Sequence, residues 1–106
     1  MLQNNVVKLS LNDPKKRRGR LEIASSILKA AKKGAQKTQI MYHANLSFTQ
    51  SSEYINLLIK SGLLEARRRN KKILYKTTSK GIKFIKNYEE LKNLLVGRMR
   101  TRRHEF

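Results

Sequence analysis

The chain of 106 residues carries 25 Lys and Arg against 7 Asp and Glu, which gives a formal net charge of +18. Its length suits one domain, and the absence of Cys excludes disulfides, thiolate nucleophiles and cysteine-ligated zinc. Because such an excess of cations repels itself, it indicates a polyanionic partner, namely DNA, RNA or an anionic membrane surface.

No apolar run approaches the roughly 18 residues that a membrane-spanning helix needs, and the N-terminus lacks the apolar core of a signal peptide. The cations are also not arranged as the polar face of a single amphipathic helix, which argues against a membrane-surface role. We therefore expect a soluble cytoplasmic protein with no membrane partner, and nucleic acid is the favoured polyanion.

The acidic residues form no convincing metal-binding cluster, and the two His residues lie far apart in the sequence. The sequence contains no glycine-rich phosphate loop and no pairing of a nucleophile with a base. We therefore predict a protein with no catalytic residues, no metal, no cofactor and no small-molecule ligand.

Residues 1–19 are predicted to form a basic arm outside the core. The run "NDPKKRRGR" joins a turn signal to a block of cations that includes Arg17 and Arg18, and it has no apolar face to bury. Two interpretations stand. The arm is either a flexible tail that keeps the protein in solution, or a segment that orders on binding as Arg17 and Arg18 contact phosphates.

Two helices are predicted in the next part of the chain. The first spans Arg20 to Lys33, has apolar residues at helical spacing and ends before Gly34. The second is short, is expected to be capped by Thr38, and ends at Asn45.

A third helix is predicted to begin after Ser47 and to end at Gly62. Ser47 and Gln50 have the spacing of a capping box, in which each side chain accepts a hydrogen bond from the backbone N–H of the other residue. Beyond Gly62, the runs "LLEARR" and "KILYKT" have β-compatible composition and flank Asn70, so they predict a hairpin with the basic run "RRRNKK" at its tip.

The last helix is predicted from Ser79 to residue 98, followed by a basic tail over residues 99–106. Its apolar residues have the +4, +3, +4 spacing of a heptad seam. The seam residues are Phe84, Tyr88, Leu91 and Leu95. They pack either within the monomer or against a second chain, and we favour a homodimer because a lone projecting helix would leave them in water.

The predicted elements follow the order helix, helix, tight turn, helix, hairpin, long helix. Over residues 20–78 this is the order of a winged helix-turn-helix domain, a mostly α fold with a small β-hairpin called the wing. In that design the second helix of the turn motif enters the major groove, and the wing lies along the backbone or in the adjacent minor groove. Phosphates would offset the repulsion within "RRRNKK", because Lys and Arg release condensed counterions from DNA.

From Leu21 to about Leu95 the sequence also resembles a family of small archaeal winged-helix proteins, which includes regulator-like members and Sulfolobus-type chromatin proteins. The resemblance rests on "KTQIMYHANLS", "LLIKSGLLE" and "YKTTSKG". It implies double-stranded DNA binding and dimerisation through an antiparallel coiled coil of the last helices. Two features depart from the family pattern. Ser51 stands where the family tends to place a buried Leu, and the seam of the last helix is short, which would weaken the dimer or extend it into the run "VGRMR".

The third helix is the expected recognition helix, because its outer face carries short polar side chains that can reach DNA. These are Ser47, Thr49, Gln50, Ser52, Glu53 and Asn56. Gln can pair with adenine through two hydrogen bonds, Ser and Thr accept several partners, and Glu53 can accept from cytosine or form an intramolecular pair. No Arg or Lys stands at the front of this helix, so modest sequence specificity is expected; an ordinary solvated face is the alternative.

The wing tip is the second expected contact with DNA. Its residues are Arg67, Arg68, Arg69, Asn70, Lys71 and Lys72. We expect Arg68 or Arg69 to enter a narrow A·T-rich minor groove, where negative potential is concentrated. At the start of the second helix, Lys37 and Gln39 are expected to hold a phosphate beside the helix N-terminal amides.

The favoured function is therefore a double-stranded DNA-binding protein, either a transcriptional regulator or a nucleoid-associated protein. The alternative is a structured-RNA or ribosome-associated protein, which a net charge of +18 suits equally well. Against RNA, the aromatic residues are few and are expected in the core, Tyr42 among them, with His43 at the surface. That would leave no stacking platform for unpaired bases.

Overall fold

The computed structural model describes residues 19–105, with side chains as far as residue 95. Within this range the chain forms four helices and one two-stranded antiparallel hairpin, which confirms the predicted winged-helix architecture. The elements are α1 (Arg20–Ala30), α2 (Lys37–Ala44), α3 (Phe48–Lys60), β1 (Leu64–Arg69), β2 (Lys72–Thr77) and α4 (Ser79–Glu105). Arg17, Arg18 and nearly all of the predicted arm lie outside the described residues.

Three predicted helix boundaries are wrong. Helix α4 continues to Glu105 instead of ending at residue 98, so it includes most of the residues predicted as a basic tail. Helix α1 ends at Ala30 instead of Lys33, and the next three residues form a turn that leads to Gly34, whose φ of 98° suits glycine. Helix α2 is preceded by Gln36, and the predicted cap Thr38 lies inside its first turn. The Gln36 backbone N–H donates to the side-chain Oε1 of Gln39 over 2.8 Å, so Gln39 closes the start of this helix.

The capping box predicted for α3 is confirmed. The backbone N–H of Gln50 donates to Ser47 Oγ at 3.1 Å, and the backbone N–H of Ser47 donates to Gln50 Oε1 at 3.0 Å. After α3 the chain turns at Gly62, where φ is 78°. The turn directs the chain into β1.

The hairpin has the predicted centre. Its register pairs Leu64 with Thr77 at one end and Arg69 with Lys72 at the other, and Asn70 adopts a left-handed φ of 56° in the turn. Asn tolerates this conformation better than most residues, which explains why the chain reverses there and not among the arginines.

The segment between α1 and α2 joins the hairpin as a third strand-like element. Ala35 and Tyr75 exchange two backbone hydrogen bonds of 2.9 and 2.8 Å. Nearer the base of the hairpin, the backbone N–H of Thr77 donates to the carbonyl of Ala31 at 3.0 Å, and its hydroxyl donates to the carbonyl of Leu28 at 2.6 Å. The wing is therefore fastened to the helical part of the domain along its second strand.

The hydrophobic core lies where the helices meet the base of the hairpin. Its large buried side chains come from all four helices and from β1: Ile23, Ile27, Leu28, Ile40, Ile55, Leu58, Leu64 and Ile85. Each such side chain contributes roughly 1.5–3 kcal/mol when fully removed from water. Among the described side chains of α4, those in the first part of the helix take part in this core, whereas Leu91, Leu94 and Leu95 are exposed.

The expectation that Tyr42 belongs to the core is wrong, since its side chain is 90% exposed. Helix α2 buries Ile40 and Ala44 on one face. Tyr42 lies two residues from each of them and therefore on the opposite side of the helix, so its side chain points away from the core. His43 is exposed, as predicted.

Ser51 occupies a fully buried position on α3, and its hydroxyl finds no hydrogen-bond partner among the described residues. Burial of an unpaired hydroxyl costs about 1–3 kcal/mol. The core therefore tolerates a local defect at a position where the sequence departs from the resembled pattern.

Gly81 lies in the first turn of α4 at a point where the chain passes very close to itself. A Cβ there would overlap the carbonyl oxygen of Leu63 and would lie 2.5 Å from the Thr77 methyl group. The same junction is held by the Gly81 N–H, which donates to Thr78 Oγ1 at 3.0 Å, and by the Thr78 N–H, which donates to the Leu63 carbonyl at 3.1 Å. This packing requires glycine.

We predict that Gly81→Ala lowers the free energy of unfolding by about 2–3 kcal/mol, because the added methyl group forces the start of α4 away from Leu63. Urea denaturation followed by circular dichroism measures this. Gly19→Ser is the matched control: Gly19 has an extended backbone with no atom within 4 Å of the new Cβ, and Ser is a good cap for α1. Equal stability of Gly81→Ala and the wild type would contradict this account of the junction.

Candidate nucleic-acid interface

The exposed face of α3 carries three of the predicted contact residues. Thr49, Glu53 and Asn56 are exposed and follow the i, i+4, i+7 spacing of one helix face. Ser51, Tyr54, Ile55 and Leu58 are buried on the other side, which fixes the orientation of the helix. Lys60 extends the exposed stripe by one turn, and the same periodicity could have identified it from the sequence.

Ser47 and Gln50 already have structural partners. The Gln50 side-chain oxygen and the Ser47 hydroxyl both accept hydrogen bonds within the capping box. Pairing of Gln50 with adenine through both its oxygen and its nitrogen would compete with this cap. Their assignment to DNA contact stays a prediction.

Lys37 links the start of α2 to α3. Its ammonium lies 3.4 Å from the ring centroid of Phe48 and donates a hydrogen bond to Ser52 Oγ. Phe48 and Ser52 are one turn apart on α3, so the lysine spans the same flank of that helix. Phe48 itself is 65% exposed and was not among the predicted contacts. Its position directly after the Ser47 cap was the signal that could have identified it.

The wing tip carries a concentrated positive charge. Arg67 Nη2 lies 2.7 Å from Glu65 Oε2, and because both groups are solvent-accessible this pair contributes little to stability. The other cations at the tip are exposed and form no ion pair within the described residues. These are Arg68, Arg69, Lys71 and Lys72.

A shallow cleft connects the wing to the start of α2. It has a volume of about 350 Å³ and is lined by Gln36, Lys37, Thr38, Lys71, Lys72, Ile73 and Tyr75. Because Lys37 also contacts α3, the cleft connects α3, the N-terminus of α2 and the wing into one surface that carries several cations. We call it the basic face. Gln39, the other predicted phosphate contact, is exposed but does not line this cleft.

The predicted seam of α4 divides into two parts. Phe84 packs against the core of its own domain, and Tyr88 is half-buried. Burial raises the pKa of Tyr88, and the carboxylates of Glu22 on α1 and Glu89 act in the same direction, so this tyrosine lies beside α1. Lys29 and Glu89 form an ion pair between the two helices, and its hydrogen bond lowers the pKa of Glu89.

The second part of the seam has no such neighbours within the described chain. Leu91 is 53% exposed and Leu95 is 65% exposed, and Leu94 beside them is also exposed. We call these three residues the leucine patch. Its chemistry differs from that of the basic face, and the patch lies further along α4 than the contacts with α1.

Among the described residues, no three His, Cys, Asp or Glu side chains come together in a way that could hold a metal ion. In the same part of the chain, no helix combines the length and apolar character required to cross a bilayer.

Comparison with known proteins agrees with this architecture. The family model for the winged helix-turn-helix matches residues 17–96. The uncharacterized protein MJ0287 of Methanocaldococcus jannaschii is 35% identical over 76 residues, which cover 71% of this chain and 74% of that protein.

Solved structures give the same result for the fold. Sso10a-2, a DNA-binding protein from Sulfolobus solfataricus, is similar with a TM-score of 0.73 and 24% identity over 82% of this chain and 92% of that chain. Streptococcus pneumoniae FabT, solved in complex with DNA, has a TM-score of 0.62 and 17% identity over 92% of this chain and 73% of that chain. The resemblance drawn from the three sequence motifs is thereby confirmed. With the family model spanning most of its length and the helix order and hairpin in place, this chain belongs to the winged helix-turn-helix family.

Proposed function

We propose that this protein binds double-stranded DNA through the basic face, with α3 in the major groove and the wing on the backbone or in the adjacent minor groove. The observation that carries the proposal is the position of Lys37, which contacts α3 and also lines the cleft shared with Lys71 and Lys72. A cationic surface continuous with an exposed helix matches the shape and charge of a duplex groove with its flanking phosphates.

The side chains of α3 support modest sequence specificity. Thr49, Glu53 and Asn56 can form hydrogen bonds with base edges, whereas the first two turns of the helix contain no Arg or Lys that could pair with guanine. Lys60 stands at the far end of the exposed stripe and suits a phosphate contact. Much of the affinity would therefore come from the backbone of the DNA.

The wing suits a contact with phosphates or with a narrow minor groove. Arg68 and Arg69 are adjacent on β1, so their side chains point to opposite faces of the hairpin and only one of them can enter the groove. The other arginine, with Lys71 and Lys72, is then left to contact phosphates. These contacts read no bases directly, which fits a transcriptional regulator of limited specificity or a nucleoid-associated protein.

Sso10a-2 is described as a DNA-binding protein, and FabT was solved in complex with DNA. These descriptions support the same class of ligand for this chain, and a protein bound to genomic DNA would lie at the nucleoid in the cytoplasm. Structured RNA is the second candidate, because Tyr42 and Phe48 are exposed aromatic residues on which bases could stack. The deep, narrow major groove of duplex RNA, however, does not admit a helix such as α3.

A homodimer through α4 is part of the proposal. The leucine patch would otherwise face water, and its heptad spacing with Tyr88 suits the antiparallel coiled coil that the family resemblance implies. Two domains related by a two-fold axis would then contact half-sites about one helical turn, ~34 Å, apart.

The double variant Arg68→Ala/Arg69→Ala tests the wing. We predict that it binds duplexes of unrelated sequence roughly ten-fold more weakly than the wild type at low salt, because backbone contacts are lost irrespective of sequence. Fluorescence anisotropy with labelled duplexes measures this. Unchanged affinity would show that the wing does not contact DNA.

A charge-matched control is available at the opposite end of the hairpin. Lys32 and Lys33 are exposed and directly follow Ala31, whose carbonyl accepts the backbone hydrogen bond from Thr77 at the base of the hairpin. Thr77 lies five residues along β2 from Lys72 at the tip, which is roughly 17 Å. Lys32→Ala/Lys33→Ala removes the same charge and is expected to change affinity less than two-fold. The same titrations with an RNA duplex of equal length separate the two candidates, since tighter binding to RNA would favour the second.

The dimer is tested with Leu91→Gln/Leu95→Gln. Light scattering of the wild type is expected to give twice the chain mass of 12.4 kDa, and this variant is expected to give the monomer mass, because both leucines lose their apolar contact. Lys86→Gln/Lys92→Gln, two exposed positions of the same helix, is the control that stays dimeric. A monomeric wild type at tens of micromolar would contradict the proposal.

A further inference from the structure

Phe48 is a large apolar residue with no role in the core. It occupies the first position of α3 and is 65% exposed, whereas the buried stripe of that helix consists of Ser51, Tyr54, Ile55 and Leu58. Burial of Phe48 therefore contributes little to folding. The residue stands at the front of the helix that we propose for the major groove, which is the part of a recognition helix that contacts base edges.

Lys37 restricts the position of the Phe48 ring. The lysine ammonium lies 3.4 Å from the ring centroid and is itself held by Ser52 Oγ on the next turn of α3. A cation over one face leaves the opposite face and the outer edge of the ring exposed. The ring is thus presented to solvent in a limited set of orientations, which reduces the entropy lost when it makes a contact.

We propose that Phe48 is a specificity-determining residue that contacts the C5-methyl group of thymine. The inference rests on the proposed function, because it requires α3 to lie in the major groove. The thymine methyl is the apolar group that the four standard bases present there, and Phe is among the side chains that contact it. The polar groups of Glu53 and Asn56 do not distinguish a methylated from an unmethylated pyrimidine by themselves.

This contact would make the modest sequence specificity a preference for thymine. A duplex with thymine opposite the first turn of α3 is favoured, and the preference depends on one methyl group and not on a hydrogen bond. Tyr42, although more exposed at 90%, lies on α2 and takes no part in it.

The test uses two alternating DNA copolymer duplexes, one of deoxyadenosine and thymidine and one of deoxyadenosine and deoxyuridine. They differ only in the C5-methyl group of the pyrimidine, and they need no known target sequence. The wild type is expected to bind the thymine polymer roughly four-fold more tightly per bound protomer, the order expected for burial of one methyl group. In Phe48→Ala the ratio falls to about one, through weaker binding to the thymine polymer. Phe48→Leu keeps an apolar contact and retains most of the preference, and the aromatic control Tyr42→Ala retains all of it.

Two results would overturn the inference while leaving DNA binding intact. One is equal affinity of the wild type for both polymers. The other is a methyl preference that persists in Phe48→Ala, which would mean that the methyl acts through the shape of the DNA or through another side chain such as Thr49. Failure to bind either polymer at low salt would reject the proposed function and this inference with it. Since Phe48 is exposed, thermal unfolding of the variants is expected to match the wild type.

Discussion

Two backbone hydrogen bonds between Ala35 and Tyr75 hold the wing and its cations beside the start of α2. A hairpin of two strands alone is only marginally stable in water. Here β2 is fastened to the segment that leads into α2, and the bonds from Thr77 to Ala31 and Leu28 fasten its base to α1. The tip of the wing is thereby carried on a fixed support beside the start of α2.

That support has an electrostatic consequence. Lys37 follows Ala35 by two residues, so the link that fixes the wing also brings Lys37 close to Lys71 and Lys72. Cations held this close repel one another, and the ion pair between Arg67 and Glu65 offsets little of the repulsion at an exposed site. A bound polyanion removes the cost, which is why the proposed function follows from the position of these charges and not only from their number.

The sequence predicted those features that depend on local chemistry. Asn70 is the one residue at the centre of the basic run that readily turns the chain, and the Ser47–Gln50 spacing is itself the capping box. Features that depend on tertiary placement were missed. The contact between Lys37 and Phe48 joins two helices, and the outward position of Tyr42 follows from which face of a short helix packs. At the start of α2, the Gln36 N–H bonds to the Gln39 side chain and closes the helix end, whereas Thr38 was predicted to be the cap.

The salt dependence of duplex binding tests the central claim most directly, because the claim is that the basic face holds DNA by displacing its counterions. If the four unpaired wing-tip cations each neutralise one phosphate, the logarithm of the association constant falls against the logarithm of potassium chloride concentration with a slope of about −3 to −4 or steeper. An affinity that does not change with added potassium chloride would contradict the account.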